Sequence, residues 1–355
     1  MNTNPKIRIS IISACRNESR HICEFLDSLL SQQMEGMTWE AVIADGISTD
    51  GTREQLKQYA VKHPQMRFID NPGRIVSTGL NEAIRAARGE IILRMDAHTR
   101  YAPDYCVRCV ETLESTGADN VGGPARTNAV GLLPRAIAAA YHSPFSTGGA
   151  KFHDENYEGS VDTVTYGCWR RTTLERIGGF DEALVRNQDD ELNLRLLRSG
   201  GTIWQNPQIM SWYSPRATLT GLFNQYFQYG FWKVAVIRKH GKPGSWRHLV
   251  PAGFALANGT LLLLIAVAAI AQSRNFLLLS SGVWGAMACL YLSASLVASA
   301  VTANKNGWRL FLYLPLVFPA YHLSYGAGFL AGLWRFRSTN ASTFATDSVF
   351  ARITR

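Results

Sequence analysis

Hydrophobic and polar positions alternate in two ways along the first 125 residues. Short β-rich runs predict strands, and the segments between them repeat apolar residues at helical spacing. The strands are predicted over residues 7–13, 40–45, 66–70, 90–95 and 119–123, and the helices over 19–33, 52–62, 78–88 and 103–116. This alternation predicts βαβ units and therefore an α/β fold with a mostly parallel sheet. Ligands of such sheets bind beyond the carboxyl ends of the strands.

Residues 124–215 follow a less regular pattern. A loop rich in small residues, 143–150, precedes a predicted strand over 161–166, and a helix is predicted over 189–199. Residues 216–240 are rich in aromatic residues and end in Arg238 and Lys239. They are too polar to span a membrane and predict an amphipathic helix at the membrane interface.

The C-terminal part is dominated by long apolar runs. No Asp, Glu, Lys or Arg occurs in residues 248–273, 275–304 and 310–334. Each run exceeds the roughly 20 residues that a helix needs to cross a bilayer, so about three membrane segments are predicted. Pro315 and Pro319 could divide the third run, and Gly328 and Gly332 within it predict close helix packing. The predicted organisation is a soluble domain over 1–215, an interfacial segment over 216–247, a membrane region over 248–335 and a polar tail over 336–355.

Composition and charge support this division. Charged residues make up 18% of the chain, yet 26 of the 27 acidic residues precede residue 251. The net charge is +9, and much of it flanks the apolar runs, where basic residues usually meet anionic lipid. The polar domain shows no basic patch interleaved with aromatic residues, so the charge predicts a lipid partner and no nucleic acid. Secreted disulfide modules, fibrous proteins and disordered chains are excluded.

The first residues and the cysteines bear on the compartment. Residues 1–6 are polar and lack the apolar core of a signal peptide, so we expect the soluble domain in the cytoplasm. The six scattered cysteines suit a reducing compartment. Cys106 and Cys109 form a C-x-x-C pair without a second pair, which favours two buried thiols over a zinc site.

The first candidate site for chemistry follows the second predicted strand. Asp45 ends that strand, and a segment rich in Gly, Ser and Thr continues to Thr52. A carboxylate in this position can accept a hydrogen bond from a nucleobase or a sugar hydroxyl. The same pattern fits a plain turn in which Asp50 or Thr52 caps the next helix, and both interpretations stay open.

Two further clusters carry acidic residues. Asp96 and His98 close the fourth predicted strand, where side chains at i and i+2 can turn toward one divalent cation, and an imidazole suits Mn²⁺ better than Mg²⁺. The acids at 189–191 open a predicted helix, where the helix dipole favours them and where Glu191 and Arg195 fit an i,i+4 pair. The alternative for this second cluster is a carboxylate that acts as general base.

Taken together, the motifs resemble those of family 2 glycosyltransferases. The matching segments are residues 9–12, 17–18, 45–52, 81–89, 96–98, 178–182 and 188–189. The resemblance covers roughly residues 7–235 and implies the nucleotide-sugar-binding fold called GT-A. The Asp-Ala-His motif at 96–98, the stretch 225–230 and the apolar tail are most similar to the succinoglycan-biosynthesis glucosyltransferase subgroup of bacterial exopolysaccharide enzymes.

The resemblance implies roles for residues on the donor side. Asp45 would contact the uracil of a UDP-sugar, with the turn at Asn17 and Glu18 beside the nucleoside. Asp96 would lie at the nucleotide sugar and share a divalent metal, Mn²⁺ or Mg²⁺, with His98.

On the acceptor side, the resemblance makes Asp189 the base that deprotonates the acceptor hydroxyl. Asp190 is the alternative, because Gln188 stands where the family usually has Glu. Gln225, Tyr229 and Trp232 are predicted to lie near the acceptor and the membrane.

The function implied is inverting transfer of a sugar, most readily glucose, from a UDP-sugar to a polyprenyl-diphosphate-linked saccharide in exopolysaccharide biosynthesis. We expect the enzyme in the bacterial cytoplasmic (inner) membrane, with its catalytic domain on the cytoplasmic side. Its expected partners are the lipid bilayer and other polysaccharide assembly proteins. A polyprenyl-phosphate glycosyl synthase and a non-catalytic nucleotide-sugar-binding scaffold are the alternatives.

Overall fold

The computed structural model describes residues 6–337, and the chain divides into two compact units. Of the described residues, the first unit contains 6–127 and Lys151–Ser214, and the second contains Asn128–Ala150 and the helices that follow Pro215. The sequence pattern predicts residues 128–150 as part of the first domain, whereas in the structure they belong to the second unit. Nearly all of the predicted polar tail lies outside the described residues.

Apart from the short strand Thr99–Tyr101, which directly follows another strand, strands and helices alternate as far as residue 123. Within residues 6–337 the strands are β1 (Ile9–Cys15), β2 (Trp39–Asp45), β3 (Met66–Asp70), β4 (Ile91–Arg94), β5 (Thr99–Tyr101), β6 (Asn120–Gly123), β7 (Gly159–Ser160), β8 (Thr165–Arg170), β9 (Ile203–Gln205) and β10 (Ser211–Tyr213). The α-helices of the same range are α1 (Ile22–Leu30), α2 (Thr52–Lys62), α3 (Val76–Ala86), α4 (Tyr105–Thr116), α5 (Leu132–Tyr141), α6 (Pro144–Thr147), α7 (Arg171–Ile177), α8 (Gln188–Arg198), α9 (Leu219–His240), α10 (Val250–Ile270), α11 (Arg274–Asn306) and α12 (Leu314–Phe336). Short 3-10 helices occur at Lys151–His153, Trp246–Leu249 and Trp308–Leu312.

Eight strands of the first unit form one mixed sheet in the order β3-β2-β1-β4-β8-β6-β9-β7. The first four are parallel, and β8 runs antiparallel between β4 and β6. The predicted α/β fold with parallel strands joined by helices is therefore confirmed. Cys15 pairs with Asp45, and Ile12 pairs with Arg94, so the carboxyl ends of β1, β2 and β4 lie at one edge of the sheet.

Helices cover both faces of this sheet. On one face, α1 buries Phe25, Leu26 and Leu29 in the same apolar cluster as residues of α4. On the other face, Leu80 of α3 and Leu192 of α8 share a second cluster. Because both faces are covered, the central strands are almost continuously apolar, as in other parallel sheets. Each buried aliphatic side chain contributes about 1.5–3 kcal/mol to the free energy of folding. This burial holds the strands in place and therefore also fixes the position of the loops that follow them.

The predicted strand over 161–166 is wrong in its bounds. The strand is β8, which begins at Thr165, four residues later. Val161 and Val164 supply the apolar pattern because they pack in a core cluster, but they precede the strand. The short strands β5, β7, β9 and β10 have two or three residues each, too few for an alternating pattern to indicate them.

In the second unit, α9 and α12 pack closely through glycines. A Cβ atom on Gly230 would overlap the carbonyl oxygen of Tyr325, and one on Gly332 would lie 2.7 Å from the carbonyl oxygen of Phe231. The predicted close packing at Gly328 and Gly332 is therefore confirmed. In the same unit, the Tyr321 hydroxyl of α12 donates to the Ile137 carbonyl of α5 (3.0 Å).

Two helical segments in the described part of the chain are long and apolar enough to cross a bilayer. They are Trp246–Ile270, with 25 residues, and Arg274–Asn306, with 33. Leu263 and Leu290 within them are 63% and 74% exposed, as lipid-facing side chains are expected to be. The third apolar run forms a 3-10 helix and then α12, which continues through Pro319. Three membrane segments remain a prediction.

Candidate active site

The loops that follow β1 and β2 are tied together by hydrogen bonds. The Asn17 backbone N–H donates to Ser48 Oγ (2.8 Å), and the Thr49 N–H donates to Asn17 Oδ1 (2.9 Å). The Glu18 N–H donates to Thr52 Oγ1 (2.9 Å). Asn17 has φ 54°, in the left-handed region that asparagine tolerates better than most residues. The predicted nucleoside-binding turn at Asn17 and Glu18 is therefore held in one conformation beside the end of β2.

Asp45 lies beneath these loops and has no exposed surface. Ser48 Oγ donates to its Oδ1 (2.5 Å), and Arg53 Nη1 donates to its Oδ2 (2.7 Å). Arg53 Nη2 also donates to Asp70 Oδ1 (2.7 Å), so one guanidinium joins the ends of β2 and β3. These partners compensate the buried charge of Asp45, which would otherwise be costly. A ligand can contact this carboxylate only after Arg53 or Ser48 moves.

Asp50 joins the same loops to the start of α2. It accepts hydrogen bonds from the Ser19 N–H (3.0 Å), the Thr52 N–H (3.2 Å) and Thr52 Oγ1 (2.6 Å). Burial acts to raise the pKa of Asp50, but the hydrogen bonds from Thr52 and Ser19 outweigh it and lower the pKa to about 2. Asp50 is therefore a charged anchor of the loops at neutral pH.

Arg94, the last residue of β4, joins Asp96 to Asp189. Its Nε and Nη2 donate to the two oxygens of Asp96 (3.0 and 3.1 Å), and its Nη1 donates to Asp189 Oδ1. The side chain of Arg94 is 3% exposed, whereas those of Asp96 and Asp189 are 18% and 44% exposed. The guanidinium is thus enclosed, while both carboxylates remain accessible to solvent.

Two aromatic rings enclose the guanidinium. The Arg94 Cζ atom lies 5.8 Å from the ring centroid of Tyr166 and 5.9 Å from that of Phe180, within the range of cation–π attraction. Tyr166 has φ 62°, a conformation that is strained for an aromatic residue, and its hydroxyl contacts Thr99 Oγ1. Strain of this kind persists only where the surrounding contacts enforce it, so the position of Tyr166 is firmly determined.

Asn81 of α3 holds the loop that leads to α8. Its Nδ2 donates to the Phe180 carbonyl (2.8 Å) and to Glu182 Oε1 (2.8 Å), and its Oδ1 accepts from the Phe180 N–H (2.8 Å). Ser77 Oγ donates to the Leu184 carbonyl farther along the same loop (2.9 Å). The Gly-Gly-Phe-Asp-Glu motif at 178–182 therefore sets where α8 begins.

The first turn of α8 carries the predicted base. Glu191 is fully buried and pairs with Arg195 (2.7 Å), so the predicted i,i+4 pair is confirmed. Arg195 also donates to the Gly179 carbonyl (2.7 Å), which ties the helix to the loop before it. Asp190 is half-buried, and Asp189 faces Arg94.

Surrounding protein atoms raise the pKa of the Asp189 carboxyl above its usual range, because they displace water from the charged form even though part of the side chain stays exposed. Arg94 opposes this rise, and the nearby Asp96 and Asp190 carboxylates add to it. A raised pKa makes Asp189 a stronger base than an ordinary aspartate.

Asp96 and His98 are the candidate metal ligands. Among residues 6–337 no group of three or more His, Cys, Asp and Glu side chains could hold an ion. The pair offers one carboxylate and one imidazole, a donor set that fits a divalent cation completed by phosphate oxygens and water. His98 is half-buried in the turn between β4 and β5. The buried thiols of Cys106 and Cys109 agree with the prediction that they are structural.

The predicted acceptor-side residues lie on α9 in the second unit. Gln225 Nε2 donates to Tyr229 Oη (2.9 Å), and Gln225 Oε1 accepts from Arg216 Nε (3.3 Å). Trp232 is 2% exposed and its ring centroid lies 5.9 Å from that of Phe336. The predicted acceptor-side role of Trp232 is therefore corrected to helix packing, because its ring face is not available to a sugar.

Arg94, Arg53 and the contacts of Asn81 are functional features that the sequence patterns do not predict. Arg94 did carry a signal, since a charged residue at the end of an apolar strand needs a buried partner. That partner, Asp189, is 95 residues away in the chain, and no spacing rule connects the two.

Several known proteins match this chain over most of its length. The family model described as glycosyl transferase family 2 matches residues 10–177. The chain is 34% identical over 333 residues to the succinoglycan biosynthesis protein ExoA of Rhizobium meliloti (strain 1021), covering 92% of this chain and 95% of that protein. It is 27% identical over 339 residues to the dolichyl N-acetyl-alpha-D-glucosaminyl phosphate 3-beta-D-2,3-diacetamido-2,3-dideoxy-beta-D-glucuronosyltransferase of Methanococcus voltae, covering 93% and 98%.

A solved structure shares the fold. The mannosyltransferase PcManGT from Pyrobaculum calidifontis, in complex with GDP-Man and Mn²⁺, matches with a TM-score of 0.60 and 20% sequence identity. The match covers 94% of this chain and 88% of that one.

Proposed function

Because the chain belongs to glycosyl transferase family 2 and has a GT-A fold, we propose that it is a metal-dependent, inverting enzyme of exopolysaccharide biosynthesis. It would move a sugar, glucose in the first instance, from a UDP-sugar to a polyprenyl-diphosphate-linked saccharide. The family and the fold that the motifs predicted are both confirmed. The donor, the acceptor and the metal are parts of the proposal.

The observation that carries the proposal is the pair of carboxylates joined by Arg94 at the carboxyl edge of the sheet. Inverting transfer requires a base near the acceptor hydroxyl and compensation of charge on the departing diphosphate. Asp189 is accessible, is oriented by Arg94 and has a raised pKa, which are properties of a general base. A divalent cation held by Asp96 and His98 would supply the charge compensation for the leaving group.

The donor side of the proposal rests on the loops after β1 and β2. Asn17, Glu18 and Asp45 are fixed by a connected set of hydrogen bonds at the same sheet edge as Arg94. Asp45 would receive the nucleobase after Arg53 moves aside. The PcManGT complex contains GDP-Man and Mn²⁺, which supports a nucleotide-sugar donor and a divalent metal for this chain. The uracil nucleobase is proposed from the resemblance alone.

The acceptor side rests on the apolar helices and the relatives. ExoA is named for succinoglycan biosynthesis, and the Methanococcus voltae enzyme is named for a dolichyl-linked sugar phosphate. The first name supports a role in exopolysaccharide biosynthesis, and the second supports a lipid-linked acceptor, which an enzyme with two bilayer-length apolar helices could reach from the membrane surface. Gln225 and Tyr229 remain candidates for contact with that acceptor. We propose the cytoplasmic membrane as its location, with other polysaccharide assembly proteins as partners.

A transfer assay on membranes that contain the full-length protein tests this proposal. Labelled UDP-sugars are supplied with Mn²⁺, with Mg²⁺ or with a chelator, and the lipid-linked product is identified by mass. We expect metal-dependent transfer in which the label appears on a polyprenyl-diphosphate-linked saccharide. A product on polyprenyl monophosphate would replace the proposed acceptor, and the absence of transfer from every UDP-sugar supplied would favour the scaffold alternative.

Two substitutions in α8 test the base. Asp189→Asn should abolish transfer while binding of UDP, measured by calorimetry, stays within about threefold of the parent because the base contacts the acceptor side. Asp190→Asn is the matched control, since it removes the neighbouring carboxylate of the same helical turn. Loss of transfer in Asp190→Asn alone would make Asp190 the general base. Full activity in Asp189→Asn would show that Asp189 is not the general base.

A further inference from the structure

The Arg94 guanidinium holds both carboxylates of the candidate site at once. Two of its N–H groups are used by the two oxygens of Asp96, and a third is used by Asp189. An arginine fork that binds a carboxylate at two points fixes its orientation as well as its distance. The relative positions of Asp96 and Asp189 are therefore set by a residue that belongs to neither loop.

Arg94 cannot act on a substrate directly. Its side chain is 3% exposed and is flanked by the rings of Tyr166 and Phe180, whereas the two carboxylates it holds reach solvent. Phe180 is itself fixed by Asn81, and Tyr166 is fixed in a strained backbone conformation. The guanidinium is thus locked from several sides, and any influence on transfer must pass through Asp96 or Asp189.

The charges within this group are unequal. One guanidinium serves two carboxylates, and it keeps its charge because arginine does not deprotonate in proteins. Both oxygens of Asp96 are occupied by Arg94. A divalent cation that binds Asp96 must therefore compete with a positive charge already in contact with that carboxylate.

We propose that Arg94 is a positioning residue that exchanges partners when a divalent cation binds. Without the cation it is shared between Asp96 and Asp189, and with the cation on Asp96 it is retained by Asp189 alone. Occupation of the metal site and placement of the base are then coupled through one side chain. This inference rests on the proposed function, because it takes Asp96 as a metal ligand and Asp189 as the base.

The coupling is tested by measuring Mn²⁺ affinity apart from turnover. Free Mn²⁺ is titrated by electron paramagnetic resonance against the purified full-length protein in the absence of nucleotide. Turnover and donor KM are measured separately with the transfer assay. The variants are Arg94→Gln, which removes the charge, and Arg94→Lys, which keeps the charge and loses the fork. Arg67→Lys is the matched control, because Arg67 forms a comparable contact with the buried Glu40 on β2.

Arg94→Gln should bind Mn²⁺ about tenfold more tightly than the parent, since a competing unit charge next to Asp96 is gone. Arg94→Lys should keep Mn²⁺ affinity within about threefold, yet lose about tenfold or more in kcat with little change in donor KM, because Asp189 is no longer held at a fixed angle. Arg67→Lys should change neither quantity. A purely structural role for Arg94 would not tighten Mn²⁺ binding.

Arg94→Gln leaves two carboxylates without their cation and could therefore fail to fold, so a second variant is included. The double variant Arg94→Gln with Asp189→Asn leaves only one such carboxylate. It should bind Mn²⁺ about tenfold more tightly than Asp189→Asn alone. Equal or weaker Mn²⁺ binding in this comparison would overturn the exchange of partners, and parental kcat in Arg94→Lys would overturn the positioning role.

Asp96→Asn separates this inference from the proposed function. If Asp96→Asn loses Mn²⁺ binding while the Arg94 variants do not tighten it, the metal site stands and the coupling fails. If Asp96→Asn binds Mn²⁺ as the parent does, Asp96 is not a metal ligand, and the metal assignment in the proposed function fails together with the inference.

Discussion

Asn81→Ala tests how the loop before α8 places Asp189. The substitution removes two hydrogen bonds to the Phe180 backbone and one to the Glu182 carboxylate, all at 2.8 Å. The two backbone bonds contribute about 0.5–1.5 kcal/mol each. The third, to a carboxylate, is discounted to about 1 kcal/mol because the Glu182 side chain is 47% exposed, which gives a total of about 2–4 kcal/mol. For a domain of this size the melting temperature should fall by about 4–16 °C.

The same change should slow transfer at temperatures where the variant is still folded. Asp189 follows the released loop, and a displacement of about 1 Å at a catalytic group can cost about a hundredfold in rate. We therefore expect kcat to fall by about 10- to 100-fold while UDP binding persists. Thermal unfolding is followed by tryptophan fluorescence in detergent, and kcat is measured about 15 °C below the variant's own transition.

Two further variants make this prediction specific. Asn81→Asp keeps the shape and still accepts from the Phe180 N–H, but it places a negative charge against the Phe180 carbonyl and Glu182, so it should be at least as harmful as alanine at neutral pH. Asn206→Ala removes hydrogen bonds to Thr112 and Gln208 instead, and should lower the melting temperature without changing kcat. Parental kcat in folded Asn81→Ala would refute the proposed placement of Asp189.

The remaining predictions concern helix packing and pH. Gly230→Ala should lower the melting temperature of the detergent-solubilised protein through overpacking worth about 1–3 kcal/mol, whereas Gly253→Ala, whose added Cβ meets no atom within 4 Å, should be neutral or slightly stabilising. Equal melting temperatures would contradict the close approach of α9 and α12. The general base Asp189 must be deprotonated to act, and its pKa is raised. The acid limb of the kcat–pH profile should therefore have an apparent pKa above the ~3.9 of an unperturbed aspartate. An acid limb at or below that value would contradict Asp189 as the base.

Local patterns were sufficient to predict most of the first unit. The apolar stripe of α1 and the runs of β1 to β4 depend on neighbours in sequence, so their periodicity shows in a single chain. The carboxyl ends of these strands could be predicted to carry the site for the same reason. Asp45 and Asp96, which follow such strands, are accordingly among the candidates that the sequence predicts.

Contacts between distant segments could not be predicted in this way. Arg53 belongs to α2 and reaches the ends of two strands, and Asn81 lies 99 residues before the Phe180 backbone that it holds. The segment that contains α5 gave no strong signal, because its run of alanines fits a helix in either unit. The packing role of Trp232 could not be predicted, because an aromatic residue on an amphipathic helix has the same sequence signature whether it faces a ligand or another helix.

The enclosure of Asp45 has a consequence for the time course of donor binding. Since a ligand reaches this carboxylate only after Arg53 or Ser48 has moved, binding of the nucleobase would include a rearrangement as well as a collision. In rapid-mixing experiments the observed rate of binding would then level off at high donor concentration instead of rising linearly. The contact of Arg53 with Asp45, which compensates a buried charge in the free protein, would thus also limit the rate of donor binding.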